Sequence, residues 1–131
     1  MTNPNFYTHP ITVSAGDIDV MGHVNNVVYL RYVQEAATAH WQALADVKLQ
    51  TAVLWVVLRH EIDYLAPAFA GETLQAKTWV GETGGVKSVR FVEITNASGK
   101  ILAKARTVWC MLDAHTLKPK RIESGIMEPF M

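Results

Sequence analysis

The chain has 131 residues, half of them apolar, and its 12 Lys plus Arg are balanced by 12 Asp plus Glu. This length predicts one domain, 1–131, with a substantial core, and the balanced charge argues against nucleic acid or an anionic membrane as a partner. One cysteine, Cys110, excludes an internal disulfide. Because neither a signal-peptide pattern nor a run of about 18 apolar residues is visible, we expect a cytoplasmic protein.

The first two predicted elements are a strand and a long helix. Residues 6–14 are rich in β-branched and aromatic types and end at a glycine, which predicts a strand. From 26 to about 45, apolar residues recur every three or four positions, which predicts a helix. Apolar residues also cover much of the circumference of this helix, so we expect a sheet to wrap around it.

The rest of the chain predicts an antiparallel meander. Four more runs alternate in the manner of strands: 53–65, 73–82, 86–95 and 100–112. Glycine-containing segments at 84–85 and 96–99 separate the last three runs and predict tight hairpins. Val89 and Phe91 alternate with polar residues and are expected on the face that covers the helix. The predicted fold class is α+β, a curved antiparallel sheet of about five strands wrapped around one long central helix.

A short polar loop, GDIDVMGHVNN, joins the first strand to the helix and contains Asp17, Asp19 and His23. The first backbone N–H groups of a helix have no intrahelical acceptor, so a free donor would lie beside a carboxylate. A carboxylate near a helix N-terminus stays ionised and is available as a base or nucleophile. This pairing suits acyl transfer, since a tetrahedral intermediate needs an attacking group on one side and donors on the other.

The motif DxDxxGHVNNxxYLxY, followed by the strand runs, resembles the hotdog-fold acyl thioesterases. That family contains hydroxybenzoyl-CoA thioesterase, bacterial long-chain acyl-CoA thioesterases and plant acyl-ACP thioesterases. The resemblance covers nearly the whole chain, including EIDYLAPAFAGETL at 61–74. It implies a single hotdog domain that hydrolyses a fatty or aromatic acyl-CoA to the free acid and CoA. It also implies a homodimer or dimer of dimers with active sites at the subunit interface.

The same resemblance assigns roles to individual residues. Asp19 matches the catalytic carboxylate, which either attacks the thioester carbonyl or activates water. The backbone N–H of Asn26 matches the donor that polarises the thioester oxygen. His23 matches a histidine of the plant enzymes, and it either contacts the substrate or fixes the loop. Asp17 is expected to be structural, because an aspartate before a turn accepts backbone hydrogen bonds.

Substrate contacts and alternative functions complete the sequence-based hypothesis. Gly22 and Tyr29 are predicted to contact the acyl thioester, and Arg59, Lys87 and Arg90 are candidate partners for the CoA phosphates, with solvated surface charge as the alternative for each. No zinc-ligand spacing, nucleotide-binding glycine motif or GxSxG is present, so we expect neither metal nor cofactor. An acyl-ACP thioesterase, a hotdog dehydratase and a non-catalytic acyl-CoA-binding domain stay open as alternatives.

Overall fold

A computed structural model describes residues 5–131, so the first four residues of the predicted domain lie outside the described part. One antiparallel sheet contains five strands: β1 (Tyr7–Thr12), β2 (Val53–Tyr64), β3 (Thr73–Gly84), β4 (Lys87–Thr95) and β5 (Ile101–Asp113). Two helices, α1 (Asn26–Leu44) and α2 (Val47–Ala52), lie between β1 and β2. The strand order β1-β3-β4-β5-β2 places β1 and β2 at the edges of the sheet.

Helix α1 packs against the sheet along almost its whole length. Its buried face is formed by Tyr29, Tyr32, Val33, Ala36, Ala37 and His40. The helix begins where the Asn25 side chain accepts a hydrogen bond from the Val27 backbone N–H at 3.0 Å. The prediction of an α+β fold with one long helix and a curved five-stranded antiparallel sheet is therefore confirmed. None of the described helices is long and apolar enough to cross a membrane.

Strand β4 differs from its sequence-based orientation. Arg90 donates a hydrogen bond to His40 on α1, and Val92 belongs to the core cluster, so these even-numbered positions face the helix. Phe91 stacks on Trp79 on the opposite face, with ring centroids 5.6 Å apart. The prediction that Val89 and Phe91 face the helix is wrong. In the first half of the strand the apolar residues occupy odd-numbered positions, and in the second half they occupy even-numbered positions. Burial of the apolar residues in the second half decides the orientation of the whole strand.

The segment after β5 forms a second core at the far end of α1. It returns across the sheet and buries Phe130 completely. The Phe130 ring stacks on Trp41 at 5.5 Å and meets the edge of His40 at 4.9 Å. The short helix α2 was not predicted; Asp46 caps it by accepting from the Leu49 backbone N–H at 2.7 Å. The two ends of α1 therefore lie in different surroundings, each with its own side-chain chemistry.

Candidate active site

The loop before α1 is a tight hairpin closed on Asp19. The Asp19 backbone N–H donates to the His23 carbonyl at 2.8 Å, and the Gly22 N–H donates to the Asp19 carbonyl at 3.1 Å. Gly22 has φ +80°, a conformation that strongly favours glycine. One carboxylate oxygen of Asp19, Oδ1, accepts from the backbone N–H groups of Met21 at 2.9 Å and His23 at 3.4 Å. The other, Oδ2, accepts no hydrogen bond within residues 5–131.

Asp17 ties this loop to helix α1. Its side chain is buried; Oδ1 accepts from Arg31 Nη2 at 2.7 Å, and Oδ2 accepts from the Tyr32 hydroxyl at 2.8 Å and the Ser14 N–H at 3.2 Å. Burial raises the pKa of Asp17, but the hydrogen bonds from Arg31, Tyr32 and Ser14 together outweigh it and lower that pKa to about 2. These contacts agree with the structural role expected for Asp17.

The start of α1 presents a free donor to the same region. The Asn25 N–H donates to the Asp17 carbonyl at 2.9 Å, so the cap is held by the loop itself. Within the described residues, the Asn26 backbone N–H has no acceptor, as expected for the first turn of a helix. The Asn26 carbonyl accepts from the Tyr64 hydroxyl at 3.2 Å, which holds the helix start against the end of β2.

A cavity of about 320 Å³ lies between this loop, the start of α1 and the segment after β2. It brings together four predicted site residues: Asp19, His23, Asn26 and Tyr29. Gly22 lies in the same loop, beside the cavity. Exposed apolar side chains surround the region: Val20, Met21, Val27, Leu65 and Phe69. An acidic residue and the first residue of α1 therefore line one cavity, and apolar side chains are exposed around it.

The three predicted phosphate partners do not reach this cavity from their own chain. Arg59 lies on β2, exposed, with its Nη2 2.6 Å from Glu61 Oε1. Lys87 is exposed at the start of β4. Arg90 is buried under the concave face of the sheet and lines a different cavity, so the alternative of a solvated surface charge is wrong for this residue. The structure thus separates all three cations from Asp19.

Sequence reasoning assigned no role to the segment after β2, which also lines the cavity. Part of the cavity wall is formed by Tyr64, the last residue of β2, and by Leu65, Ala66 and Pro67. Tyr64 lies near Tyr29, with ring centroids 5.6 Å apart. The available signal was the proline that ends the strand run, which marks a turn. The pairing of β2 with β5, which are distant in sequence, places this turn beside the start of α1.

Comparisons with known proteins agree with this architecture. The family model of the thioesterase-like superfamily matches residues 13–130. The acyl-CoA thioester hydrolase YbgC of Escherichia coli O6:H1 is 24% identical over an alignment of 131 positions that covers 98% of each chain. The long-chain acyl-CoA thioesterase FadM of Escherichia coli K12 is 27% identical over 90% of this chain and 92% of its own.

The solved structures show the same fold. A crystal structure of a 1,4-dihydroxy-2-naphthoyl-CoA thioesterase from Synechocystis is similar with a TM-score of 0.81 at 20% identity, covering 96% of both chains. At this identity the likeness establishes the hotdog fold alone. Together with the match of the family model over most of the chain, it confirms the prediction of a thioester hydrolase. The chain belongs to the thioesterase-like superfamily.

Proposed function

We propose that this protein is an acyl-CoA thioesterase that hydrolyses a fatty or aromatic acyl-CoA to the free acid and CoA. The observation that carries the proposal is one cavity lined by both Asp19 and Asn26, the first residue of α1, whose N–H has no acceptor within the described residues. YbgC and FadM match almost the full chain, and their names support CoA as the carrier of the acyl group.

Two routes use the same pair of groups. In the first, Asp19 attacks the thioester carbonyl, the C–S bond breaks with CoA leaving as thiolate, and water then hydrolyses the mixed anhydride. In the second, Asp19 removes a proton from water, and the resulting hydroxide attacks the carbonyl directly. Negative charge develops on the carbonyl oxygen in both routes, and the Asn26 N–H stabilises it. The hydrogen bonds to Oδ1 orient Asp19 and leave Oδ2 to react.

The surroundings assign parts to the other predicted residues. His23 lines the cavity and packs edge-on against Phe69, with centroids 5.3 Å apart, which suits a role in orienting water or the thioester. Burial raises the pKa of Tyr29, so its phenol stays protonated at neutral pH and serves as a donor or apolar wall. Gly22 permits the loop conformation that aims Asp19 into the cavity.

We propose a homodimer, or a dimer of dimers, formed through the edge strand β2. This strand has 12 residues and an open edge, and three of its outward side chains, Leu54, Val56 and Leu58, are exposed. A long apolar edge strand is a ready site for pairing with another chain. Since Arg59 and Lys87 do not reach the Asp19 of their own chain, we propose that they meet the phosphates of CoA bound at a neighbouring subunit.

The assembly is tested by light scattering on wild type and Val56→Lys. The substitution places a charge on the exposed face of β2, and we expect the mass to fall from dimer or tetramer to monomer. Val47→Lys, at an exposed position on α2, is the matched control and should leave the mass unchanged. A wild type that is monomeric at micromolar concentration would rule out this assembly.

The chemistry is tested by measuring thiol release from a panel of acyl-CoAs. Asp19→Asn keeps the shape of the side chain and removes its charge, so we expect kcat to fall by about 10²- to 10⁴-fold. Asp63→Asn makes the same change at an exposed position on β2 and should leave kcat unchanged. Equal activity of wild type and Asp19→Asn would eliminate the proposed role. Tight binding of acyl-CoA without turnover by wild type would favour a binding domain, and a preference for acyl carrier protein would change the proposed carrier.

A further inference from the structure

A second cavity of about 270 Å³ lies between the sheet and the C-terminal half of α1. It begins near Ala37, roughly 17 Å along the helix from Asn26. Its wall contains three of the four tryptophans of the chain, Trp41, Trp55 and Trp109. The cavity therefore differs from the Asp19 cavity in position and is more aromatic.

Arg90 lines this cavity as a buried cation without a counter-ion. Its residue is 7% exposed, and Nη1 donates to His40 Nδ1 at 2.8 Å and Thr78 Oγ1 at 3.0 Å. No carboxylate among residues 5–131 lies within 4.0 Å of its guanidinium. Burying a cation beside neutral acceptors alone is costly, because they replace only part of its hydration. An anion in the cavity would offset this cost.

The charge of the neighbouring groups does not offset Arg90. Burial lowers the pKa of Arg90 to about 10, so the guanidinium is protonated at neutral pH. Burial and the nearby Arg90 lower the pKa of His40 to about 4, so its imidazole is neutral. The other polar side chains that line the cavity are uncharged: Thr38, Gln42, Gln50 and Ser88. The cavity wall therefore has a net charge of one positive unit.

Buried hydrogen-bond donors without a partner also occur in this region. Because a guanidinium can only donate, His40 Nδ1 accepts and the imidazole proton sits on Nε2. This Nε2 and the indole Nε1 atoms of Trp55 and Trp109 have no partner within the described residues. The majority of buried polar atoms are paired, so three unpaired donors on residues that contact Arg90 or line the same cavity are unusual.

We propose that this second cavity binds an organic acid with an apolar body. The carboxylate accepts hydrogen bonds from the Arg90 guanidinium, and the apolar body packs among Trp41, Trp55 and Trp109. A carboxylate supplies two acceptor oxygens and matches the planar fork of arginine. The aromatic walls favour an acid with a hydrocarbon or ring body above inorganic phosphate, which would leave them unfilled. The acid is either a free molecule or the far carboxylate of a dicarboxylic acyl chain on CoA.

The first test measures quenching of tryptophan fluorescence, since three of the four indoles line the cavity. Octanoate and benzoate are titrated against octanamide and benzamide, which keep the shape and lack the charge. We expect the acids to bind roughly 10- to 100-fold more tightly than the amides. This comparison uses the wild-type chain, so it needs no variant to fold. Equal binding of acids and amides, together with no preference for a dicarboxylic acyl-CoA in the kinetic test below, would overturn the proposal.

Variants then assign the effect to Arg90. Arg90→Met should weaken binding of the acids roughly 10- to 100-fold and leave binding of the amides unchanged. Arg90→Lys should retain part of the preference for acids over amides. Arg106→Met is the control, because Arg106 pairs in register with Phe91 on the outer face of the sheet. If Arg106→Met lost the preference and Arg90→Met kept it, the site would lie elsewhere. Repeating the titrations in Asp19→Asn separates this cavity from the proposed catalysis.

The source of the acid is decided by kinetics. Dodecanedioyl-CoA and dodecanoyl-CoA have the same chain length and differ in the far carboxylate. A higher kcat/KM for the dicarboxylic substrate that disappears in Arg90→Met identifies the acyl chain as the source. Equal kcat/KM values, with acid binding intact, identify a free acid. If neither the acids nor the dicarboxylic substrate show a preference, the cavity is not an acid site.

Discussion

Replacing Asp17 by asparagine tests whether a buried ionised carboxylate holds the loop that carries Asp19 to α1. The substitution keeps the side-chain shape and resembles the protonated acid. It weakens the contacts to Arg31 and Tyr32 that lie at 2.7 Å and 2.8 Å. The loop should remain in place, because the Asn25 N–H still donates to the backbone carbonyl of residue 17. We therefore expect a loss of stability instead of a change of fold.

The magnitude follows from the pKa of Asp17. The hydrogen bonds outweigh burial and lower this pKa from 3.8 to about 2 in the folded chain, which corresponds to about 2 kcal/mol of stability at pH 7. This is an upper value, since the Arg31 side chain is 53% exposed and water screens the pair. A carboxyl group whose pKa is lower in the folded chain stabilises the fold at pH values above its unfolded-state pKa. This contribution is lost as the pH falls toward 2. At pH 3 about 1 kcal/mol should remain.

Urea unfolding at pH 7, 4 and 3 measures this contribution. The difference between wild type and Asp17→Asn should be about 2 kcal/mol at pH 7 and shrink to about half at pH 3. Asp63→Asn, at an exposed position, should change stability by less than about 0.5 kcal/mol. A difference that is equally large at pH 7 and pH 3 would refute the electrostatic reasoning, and a negligible difference at pH 7 would refute the structural role.

Three further variants test other parts of the molecule. The pKa of His40 is lowered from 6.5 to about 4 by burial and Arg90, so between these values the unfolded chain binds a proton that the folded chain does not. Stability should therefore fall as the pH drops through this window. In urea unfolding, the free energy of unfolding of His40→Gln should depend less steeply on pH than that of wild type; equal slopes would contradict this. Gly81→Ala would place a Cβ 2.6 Å from Phe91 Cε2, so we expect about 1–3 kcal/mol of destabilisation by calorimetry, and an unchanged Tm would show that the ring yields. Tyr32→Phe removes a donor to a buried carboxylate and should cost about 1–3 kcal/mol in urea; no loss would mean that water replaces the phenol.

Local patterns predicted the elements on either side of the loop that carries Asp19. The three- and four-residue period of the helix and the glycine-terminated strand before it depend on neighbours in sequence, and the structure confirms each element within a few residues. The motif also predicted that Asp19 and Asn26 would share a site, and both line one cavity. These features could be predicted because a turn and a helix start are separated by only a few residues.

Contacts between distant segments were not predictable in the same way. Tyr64 reaches Asn26 only because β2 pairs with β5 and brings its end to the start of α1. The orientation of β4 is another example, since apolar residues occupy both of its faces and only burial against α1 selects one. The same orientation turns Arg90, expected as a phosphate partner or surface cation, into a buried cation.

By itself, the order of residues determined the α+β class, the long helix and the loop that carries Asp19, because each depends on spacing within one or two turns of chain. Only the tertiary structure decided which side chains from distant segments share a cavity. It placed Tyr64 in the cavity that Asp19 lines, and Arg90 in a second cavity with three tryptophans, away from the loop that carries Asp19. The reason is physical: backbone pairing between remote strands and burial of the more apolar face set those distances, and neither is encoded in local periodicity.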